Sequence, residues 1–341
     1  VKTWGRALEF ASEELKTDRE VVLEAVKQNG AALSYASEEL QNDREVVLEA
    51  VKWDGYAMRY ASQELQNDRE VVLAAVKHNG LAMSYASEEL QNDREIVLEA
   101  VKENSEALYF ASNELILDRE VLLEAVKQNV EVLTFYVSPY SDYSELAASK
   151  VKNDREIALE AVKQDGTHLG SFSDELKNDR EVVLAAIESN SSEALPGASE
   201  ELQNDRIIVL EAVKKRPDAL RWATEEMQQD REVVLEAVKT WGRVLEFASE
   251  ELKTEREVVL EAVKQYGLAL SYASEELQND REVVLVAVKD AGHALEFASA
   301  ELRNEWALVF EAVEQSSSAA EFASEELRNN PAFWIEVIKR G

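Results

Sequence analysis

The chain has 341 residues and no cysteine, and its 69 acidic and 37 basic residues give a formal net charge of −32 at pH 7. The missing cysteine excludes disulfides, thiolate zinc sites and thiol catalysis. A surface this acidic repels nucleic-acid phosphates and anionic membranes, and it favours a basic partner or high solubility. No apolar run approaches the roughly 20 residues needed to span a bilayer, so we expect no direct membrane insertion.

One unit of 25 residues recurs along almost the whole chain. Its clearest mark is Asp18, which opens the run Asp-Arg-Glu-Val-Val-Leu-Glu-Ala-Val-Lys. The mark returns at Asp43, Asp68, Asp93, Asp118, Asp154, Asp179, Asp205, Asp230, Glu255, Asp280, Glu305 and Asn330. All steps are 25 residues except two, which are longer by eleven residues and by one. Self-similarity at this period is typical of repeat proteins whose units stack in a row.

Each unit is predicted to form two short helices. Helix A should begin at a capping box such as Asn42 with Glu45, continue through a broad apolar run, and stop at a C′ glycine such as Gly55. Helix B should follow with apolar residues at helical spacing. Ser37 could cap a separate last turn of helix B, and the pattern does not decide between one helix and two short ones.

The fold class that follows is all-α, an α-solenoid (superhelix) of about twelve to thirteen two-helix repeats. Residues 1–341 form a single array, and an insertion at about 136–149 separates an N-terminal block, 1–135, from a C-terminal block, 150–341. The sequence opens in mid-unit, which predicts a fragment of a longer array. The insertion contains Pro139 and is either a functional loop or a drifted unit that the stack tolerates.

A resemblance to a known family supports the repeat interpretation. The run Asp43–Lys52, followed by Gly55, Ala57, Tyr60-Ala61-Ser62 and Glu64-Leu65, resembles a tandem 25-residue helical repeat family of unknown function. The resemblance extends over nearly the whole chain. It implies a helical repeat and brings no known activity or catalytic residue.

Two kinds of column carry different information. An arginine follows most of the marks that begin the repeats, as Arg44 follows Asp43. A glutamate recurs as the third residue of the Ser-Glu-Glu-Leu segment, as at Glu64. These columns predict a ladder between neighbouring units; the alternative is an acidic ridge that grips a basic partner or cations. Exposed pairs of this kind contribute about 0–1 kcal/mol each, so the apolar core should dominate stability.

Columns that vary are free to carry specificity, and they cluster at the turn between helices A and B. Aromatic residues that occur in only some copies are candidate protein-contact residues, and the alternative is a lid packed over the edge of a helix pair. Trp222 replaces Tyr35 in a recurring column and is predicted to lie in the core. The candidates at the turns and in the insertion are Trp4, Trp53, Tyr56, His78, Tyr140, Tyr143, Trp241 and Tyr266.

Motifs for catalysis or for a cofactor are missing from the sequence. His78, His168 and His293 lie in different units without ligand partners at metal spacing, so no metal, cofactor or enzymatic activity is predicted. The function predicted is a non-catalytic scaffold that binds another protein of basic or mixed surface, alone or as a subunit of a larger assembly. The alternatives are a targeting or spacer region for a catalytic domain elsewhere and a passive spacer. The cysteine-free composition favours the cytoplasm or another soluble intracellular compartment.

Overall fold

The computed structural model describes residues 4–134, 145–189 and 191–340, and all regular structure in these ranges is helical. The predicted all-α repeat fold is confirmed, because within each of the two units described below successive helices of the same kind pack on one another along most of the array. The chain divides into two compact units, Val1–Gln164 and Asp165–Gly341. Tyr136–Ser144, which includes the candidates Tyr140 and Tyr143, lies outside the described residues, and Glu145–Lys152 forms an α-helix after it.

Helix A is an α-helix of nine or ten residues. It occurs thirteen times within the described ranges: Arg19–Gln28, Arg44–Trp53, Arg69–His78, Arg94–Glu103, Arg119–Gln128, Arg155–Gln164, Arg180–Glu188, Arg206–Lys215, Arg231–Thr240, Arg256–Gln265, Arg281–Asp290, Trp306–Gln315 and Pro331–Arg340. Its apolar residues, such as Val46, Val47, Ala50 and Val51, are fully buried. Within each unit, helix A contacts helix B and also helix A of the next repeat, which accounts for its broad apolar surface.

Helix B is a tight 3₁₀-helix in almost every repeat. Its 3₁₀ copies are Trp4–Phe10, Gly30–Tyr35, Gly55–Tyr60, Gly80–Tyr85, Ser105–Phe110, Val130–Leu133, Gly166–Ser171, Pro217–Trp222, Gly242–Phe247, Gly267–Tyr272, Gly292–Phe297 and Ser317–Phe322, and Ala194–Gly197 is α-helical. Two of its residues in each typical copy, such as Ala57 and Met58, are fully buried.

A separate terminal turn follows helix B, so the open question of one helix or two is settled in favour of two. Ser37 caps it, because its hydroxyl oxygen accepts a hydrogen bond from the Leu40 N–H at 3.4 Å. The α-helical copies are Glu13–Lys16, Glu38–Gln41, Gln63–Gln66, Asp174–Lys177, Glu200–Gln203, Glu225–Gln229, Glu275–Gln278 and Glu325–Arg328; the 3₁₀ copies are Leu90–Asn92, Leu252–Thr254 and Leu302–Asn304. A backbone bond links successive turns: the Ser62 N–H donates to the Gln41 carbonyl at 3.1 Å.

The predicted capping box is wrong by one residue. Asp43, not Asn42, is the N-cap of helix A, and its carboxylate accepts the N–H groups of Glu45 at 3.0 Å and Val46 at 3.1 Å. The side chain in the Asn42 column serves the next repeat instead, as where Ser87 donates its hydroxyl hydrogen to the Asn67 carbonyl oxygen at 2.5 Å. An aspartate is well suited to this cap because it also places negative charge at the positive end of the helix dipole.

The predicted role of the glycines is also wrong. Gly55 does not end helix A in a left-handed conformation; it opens helix B, and Asp54 before it is extended. A Cβ at Gly55 would lie 2.6 Å from the carbonyl oxygen of Ala75 in the next helix A. The glycine column therefore exists for close approach between repeats.

An arginine ladder joins neighbouring repeats, as predicted. The Arg19 guanidinium donates to the Asp43 carboxylate at 2.7 Å and also reaches Glu45. Arg119 bonds to Asp154 at 2.5 Å, which keeps the ladder intact across the eleven extra residues. The pairs are Arg19–Asp43, Arg44–Asp68, Arg69–Asp93, Arg94–Asp118, Arg119–Asp154, Arg180–Asp205, Arg206–Asp230, Arg231–Glu255, Arg256–Asp280 and Arg281–Glu305.

The ladder predicts a loss of stability in acid. The hydrogen bond from Arg19 holds the pKa of Asp43 below its ordinary value of 3.8, and Arg44 and Arg94 lower the pKa of Asp68 and Asp118 in the same way. A carboxyl whose folded pKa is depressed stabilises the fold fully above its unfolded pKa. We therefore expect this contribution to the free energy of unfolding to be constant above about pH 4 and to vanish as pH falls through the folded pKa values.

Urea unfolding followed by circular dichroism at a series of pH values measures this loss. The triple variant Asp43→Asn, Asp68→Asn, Asp118→Asn keeps the capping oxygens and removes the titrating groups, so its stability should fall less between pH 5 and pH 2 than that of the parent chain (both limits are approximate). An equal loss in the two proteins would show that other groups cause the acid sensitivity.

Candidate protein-binding surface

The residue just before helix B has a structural role in the first unit. Its side chain accepts a hydrogen bond from the N–H two residues further on, as where Asp54 accepts from Tyr56 at 3.0 Å. This cap satisfies a backbone donor that the first turn of a helix leaves free. The residues that form it are Asn29, Asp54, Asn79, Asn104 and Asn129, and Asp165 does the same at the start of the second unit.

The same column changes chemistry in the second unit. From Arg216 onward no side chain at this position caps helix B, and the column continues as Trp241, Tyr266, Ala291 and Ser316. Trp241 is 42% exposed and Tyr266 is partly exposed. Replacing a capping residue costs about 0.5–2 kcal/mol, so the stability of the repeat does not account for these two aromatic residues.

The column one residue earlier contains two of the predicted candidates, Trp53 and His78, and they differ. His78 Nδ1 accepts a hydrogen bond from the Gly55 N–H at 3.2 Å. Ser189 and Asp290, at the same position in later repeats, each accept a hydrogen bond from the N–H of the corresponding glycine one repeat earlier. Trp53 cannot do this, because an indole has a donor and no acceptor, and its side chain is 59% exposed. His78 is therefore part of the stack, whereas Trp53 presents a large apolar surface to solvent.

Two further candidates at the turns are Tyr56 and Trp4. The Tyr56 ring packs edge-on against the Tyr85 ring, with the ring centres 6.4 Å apart, as the lid alternative describes. Tyr56 is partly exposed but is engaged in this ring contact. Trp4 begins the first helix B, and its side chain lies outside the described residues. Trp53, Trp241 and Tyr266 are exposed or partly exposed, and we call these three side chains the turn aromatics.

Sequence reasoning missed a second aromatic surface. Trp222, predicted to be core, is 41% exposed, because helix B ends at this residue and leaves the ring at the edge of the layer. We call the ring-bearing last residues of helix B the aromatic stripe. It comprises Phe10, Tyr35, Tyr60, Tyr85 and Phe110 in the first unit, and Trp222, Phe247, Tyr272, Phe297 and Phe322 in the second. The recurrence of a ring at this position could have revealed the stripe. Because the ring stands among apolar residues in the sequence, the position was interpreted as core.

Polar side chains of the same repeat or of the preceding repeat meet several stripe rings. The Tyr35 hydroxyl donates to Glu9 at 3.1 Å, and the Tyr272 hydroxyl donates to Glu246 at 3.5 Å. The Arg59 guanidinium lies 4.4 Å from the centre of the Tyr60 ring, within the range of a cation–π contact. The stripe is therefore a mixed surface of rings, carboxylates and guanidinium groups.

No group of three or more side chains in the described ranges is placed to hold a metal ion. His293 lies 2.9 Å from the Ser318 hydroxyl and edge-on to the Phe322 ring, and it belongs to the packing between two repeats. Among the residues that the structure describes, no helix combines the length and apolar character of a bilayer-spanning segment.

Comparison with known proteins agrees with the repeat structure. A family model described as Domain of unknown function (DUF4116) matches the chain in overlapping segments, each covering up to two repeats. The segments are 1–41, 18–66, 43–91, 68–116, 93–140, 154–203, 189–228, 205–253, 230–278 and 255–303. A search of the curated proteins finds no match. Because the matched segments cover most of the chain, it belongs to the family of tandem helical repeats described as Domain of unknown function (DUF4116).

Proposed function

We propose that the chain is a non-catalytic scaffold that binds another protein through the turn aromatics. The observation that carries the proposal is the exchange of a helix cap for Trp241 and Tyr266 in the second unit. Interface hot spots are enriched in tryptophan and tyrosine, and large apolar side chains at capping positions weaken the fold. A contact with a partner gives such residues a use that packing within the repeat does not.

The charge of the chain supports the kind of partner proposed. The formal charge of −32 favours association with a protein that has a basic or mixed surface, and electrostatic attraction of this sort accelerates encounter. Most ladder arginines are already paired with carboxylates of the next repeat, so they stabilise the stack and leave recognition to other columns.

The double variant Trp241→Asn, Tyr266→Asn tests the proposal, because asparagine is the capping residue of the first unit. We expect each substitution to raise the free energy of unfolding by about 0.5–1 kcal/mol. We also expect the double variant to capture severalfold less of any protein that the parent chain binds saturably in cell extracts. Quantitative mass spectrometry measures the captured amount. Urea unfolding followed by circular dichroism measures the stability.

Ala291→Asn is the matched control, since it restores the same cap in a repeat without an aromatic residue there. It should stabilise the chain and leave capture unchanged. If several extracts yield no protein that binds the parent chain saturably, the scaffold proposal fails. If capture is saturable and the double variant captures the partner fully, the turn aromatics are not the contact.

A further inference from the structure

The second unit presents carboxylates beside the rings of its aromatic stripe. Glu246-Phe247, Glu296-Phe297 and Glu321-Phe322 occupy equivalent positions in three repeats, and Tyr272 is the stripe ring of the repeat between the first two. The three glutamates are exposed and the three phenylalanine rings are partly exposed. A ring face next to a carboxylate is a favourable environment for an organic cation.

A guanidinium of the chain itself already lies over ring faces at one end of the stripe. The Arg221 guanidinium carbon lies 4.8 Å from the centre of the Trp222 ring and 5.8 Å from the centre of the Phe247 ring of the next repeat. One cation therefore spans two successive rings. The Arg221 position becomes Glu246, Ser271, Glu296 and Glu321 in the following repeats, so the sequence supplies no arginine there.

The spacing of the stripe fits an extended peptide. Successive helices B of the second unit pack side by side. The Arg221 guanidinium carbon lies 4.8 Å and 5.8 Å from two successive ring centres, so these centres are at most about 11 Å apart, close to the roughly 8–10 Å typical of packed helices. A polyproline II segment advances about 3.1 Å per residue with three residues per turn, so every third side chain recurs on one face after about 9.3 Å. Basic residues at every third position would therefore meet successive rings of the stripe.

We propose that the stripe from Glu246 to Phe322 binds an extended segment of another protein with arginine at every third position. Each guanidinium stacks on one ring, as Arg221 does on Trp222, and pairs with the adjacent glutamate where one is present. Arginine suits the site better than lysine, because its planar group can stack on a ring and bond to a carboxylate together. The inference rests on the proposed function, since it requires a protein partner, but it uses a different surface from the turn aromatics.

A fluorescent peptide with arginine at every third position and proline between tests this site by fluorescence anisotropy on the full chain. Two triple variants remove the two halves of the site: Phe247→Leu, Phe297→Leu, Phe322→Leu removes the rings, and Glu246→Gln, Glu296→Gln, Glu321→Gln removes the charges. We expect each triple variant to raise the Kd for the peptide about tenfold or more. A peptide with glutamine in place of arginine should not bind, and a lysine peptide should bind more weakly.

The control Glu225→Gln, Glu275→Gln, Glu325→Gln changes the net charge equally at exposed positions on the terminal turns. It should alter Kd less than about twofold. If the control weakened binding as much as the glutamate variant does, or if a peptide with arginine at every second position bound as tightly, net charge alone would explain the binding. Either result would overturn the proposed site. Circular dichroism checks that the leucine variant is folded. Trp241 and Tyr266 are unchanged in all these variants. A negative result for the stripe would therefore leave the proposed contact through the turn aromatics standing.

Discussion

Replacing Leu245 with alanine should lower the free energy of unfolding of the second unit by about 2–5 kcal/mol. Leu245 is fully buried in helix B of a central repeat, and this helix B contacts both its own helix A and the next one. The substitution removes apolar contacts and leaves a cavity that neighbouring repeats can fill only in part. Urea unfolding followed by circular dichroism measures the loss.

The loss should also be local. Each repeat of the second unit contacts the repeats next to it, so weakening one interface lowers the cost of opening that part of the array. Hydrogen exchange detected by mass spectrometry should accelerate most in residues 217–272. The control Ile207→Ala removes a side chain that is 62% exposed and should change stability by less than about 0.5 kcal/mol. Similar losses in the two variants would contradict the assigned core.

Gly55→Ala is expected to destabilise the first unit by about 1–3 kcal/mol, although alanine is the better helix former. The added methyl group would press against the Ala75 carbonyl oxygen and would lie 2.9 Å from the Cβ of Asn79. The next helix A must move away to accommodate it. Ser105 and Val130 occupy the same column and are buried, so the spacing of the repeats can adjust, and the expected cost is a few kilocalories rather than loss of the fold.

Gly170→Ala is the matched control for this prediction. A Cβ at Gly170 would meet nothing within 4 Å. It should therefore leave stability unchanged or raise it by about 0.4–1 kcal/mol, because alanine restricts the unfolded chain. Urea midpoints of the two variants decide the matter. If Gly55→Ala is as stable as the parent chain, close approach is not the reason for the glycine column.

The periodicity of the sequence predicted the stack, helix A and the arginine ladder, because each depends on residues that recur every 25 positions. It did not place the cap correctly. Asparagine and aspartate are both favoured at N-caps, so the sequence does not decide between Asn42 and Asp43. Only the backbone conformation shows that Asp43 accepts the free N–H groups. The glycine column was misread for a similar reason: a glycine needed for a turn and one needed for close approach look alike in sequence.

The same reasoning predicted only part of the two proposed binding surfaces. Trp53, Trp241 and Tyr266 stood out because they break a column, which is visible in the sequence. Trp222 and the stripe did not, because a recurring ring looks like a core residue and its exposure depends on where helix B ends. The role of His78 as an acceptor for Gly55 depends on a contact between repeats that no local pattern shows.

The ladder bond between Arg119 and Asp154 has an evolutionary consequence. It forms over a separation of 35 residues, whereas Arg19 reaches Asp43 over 24, so the contact depends on the order of the repeats and not on the length of chain between them. Gene duplication or unequal recombination that adds or deletes whole units joins one standard interface to another. The array can therefore change length by single units over generations, and each new copy is then free to acquire its own turn and stripe residues.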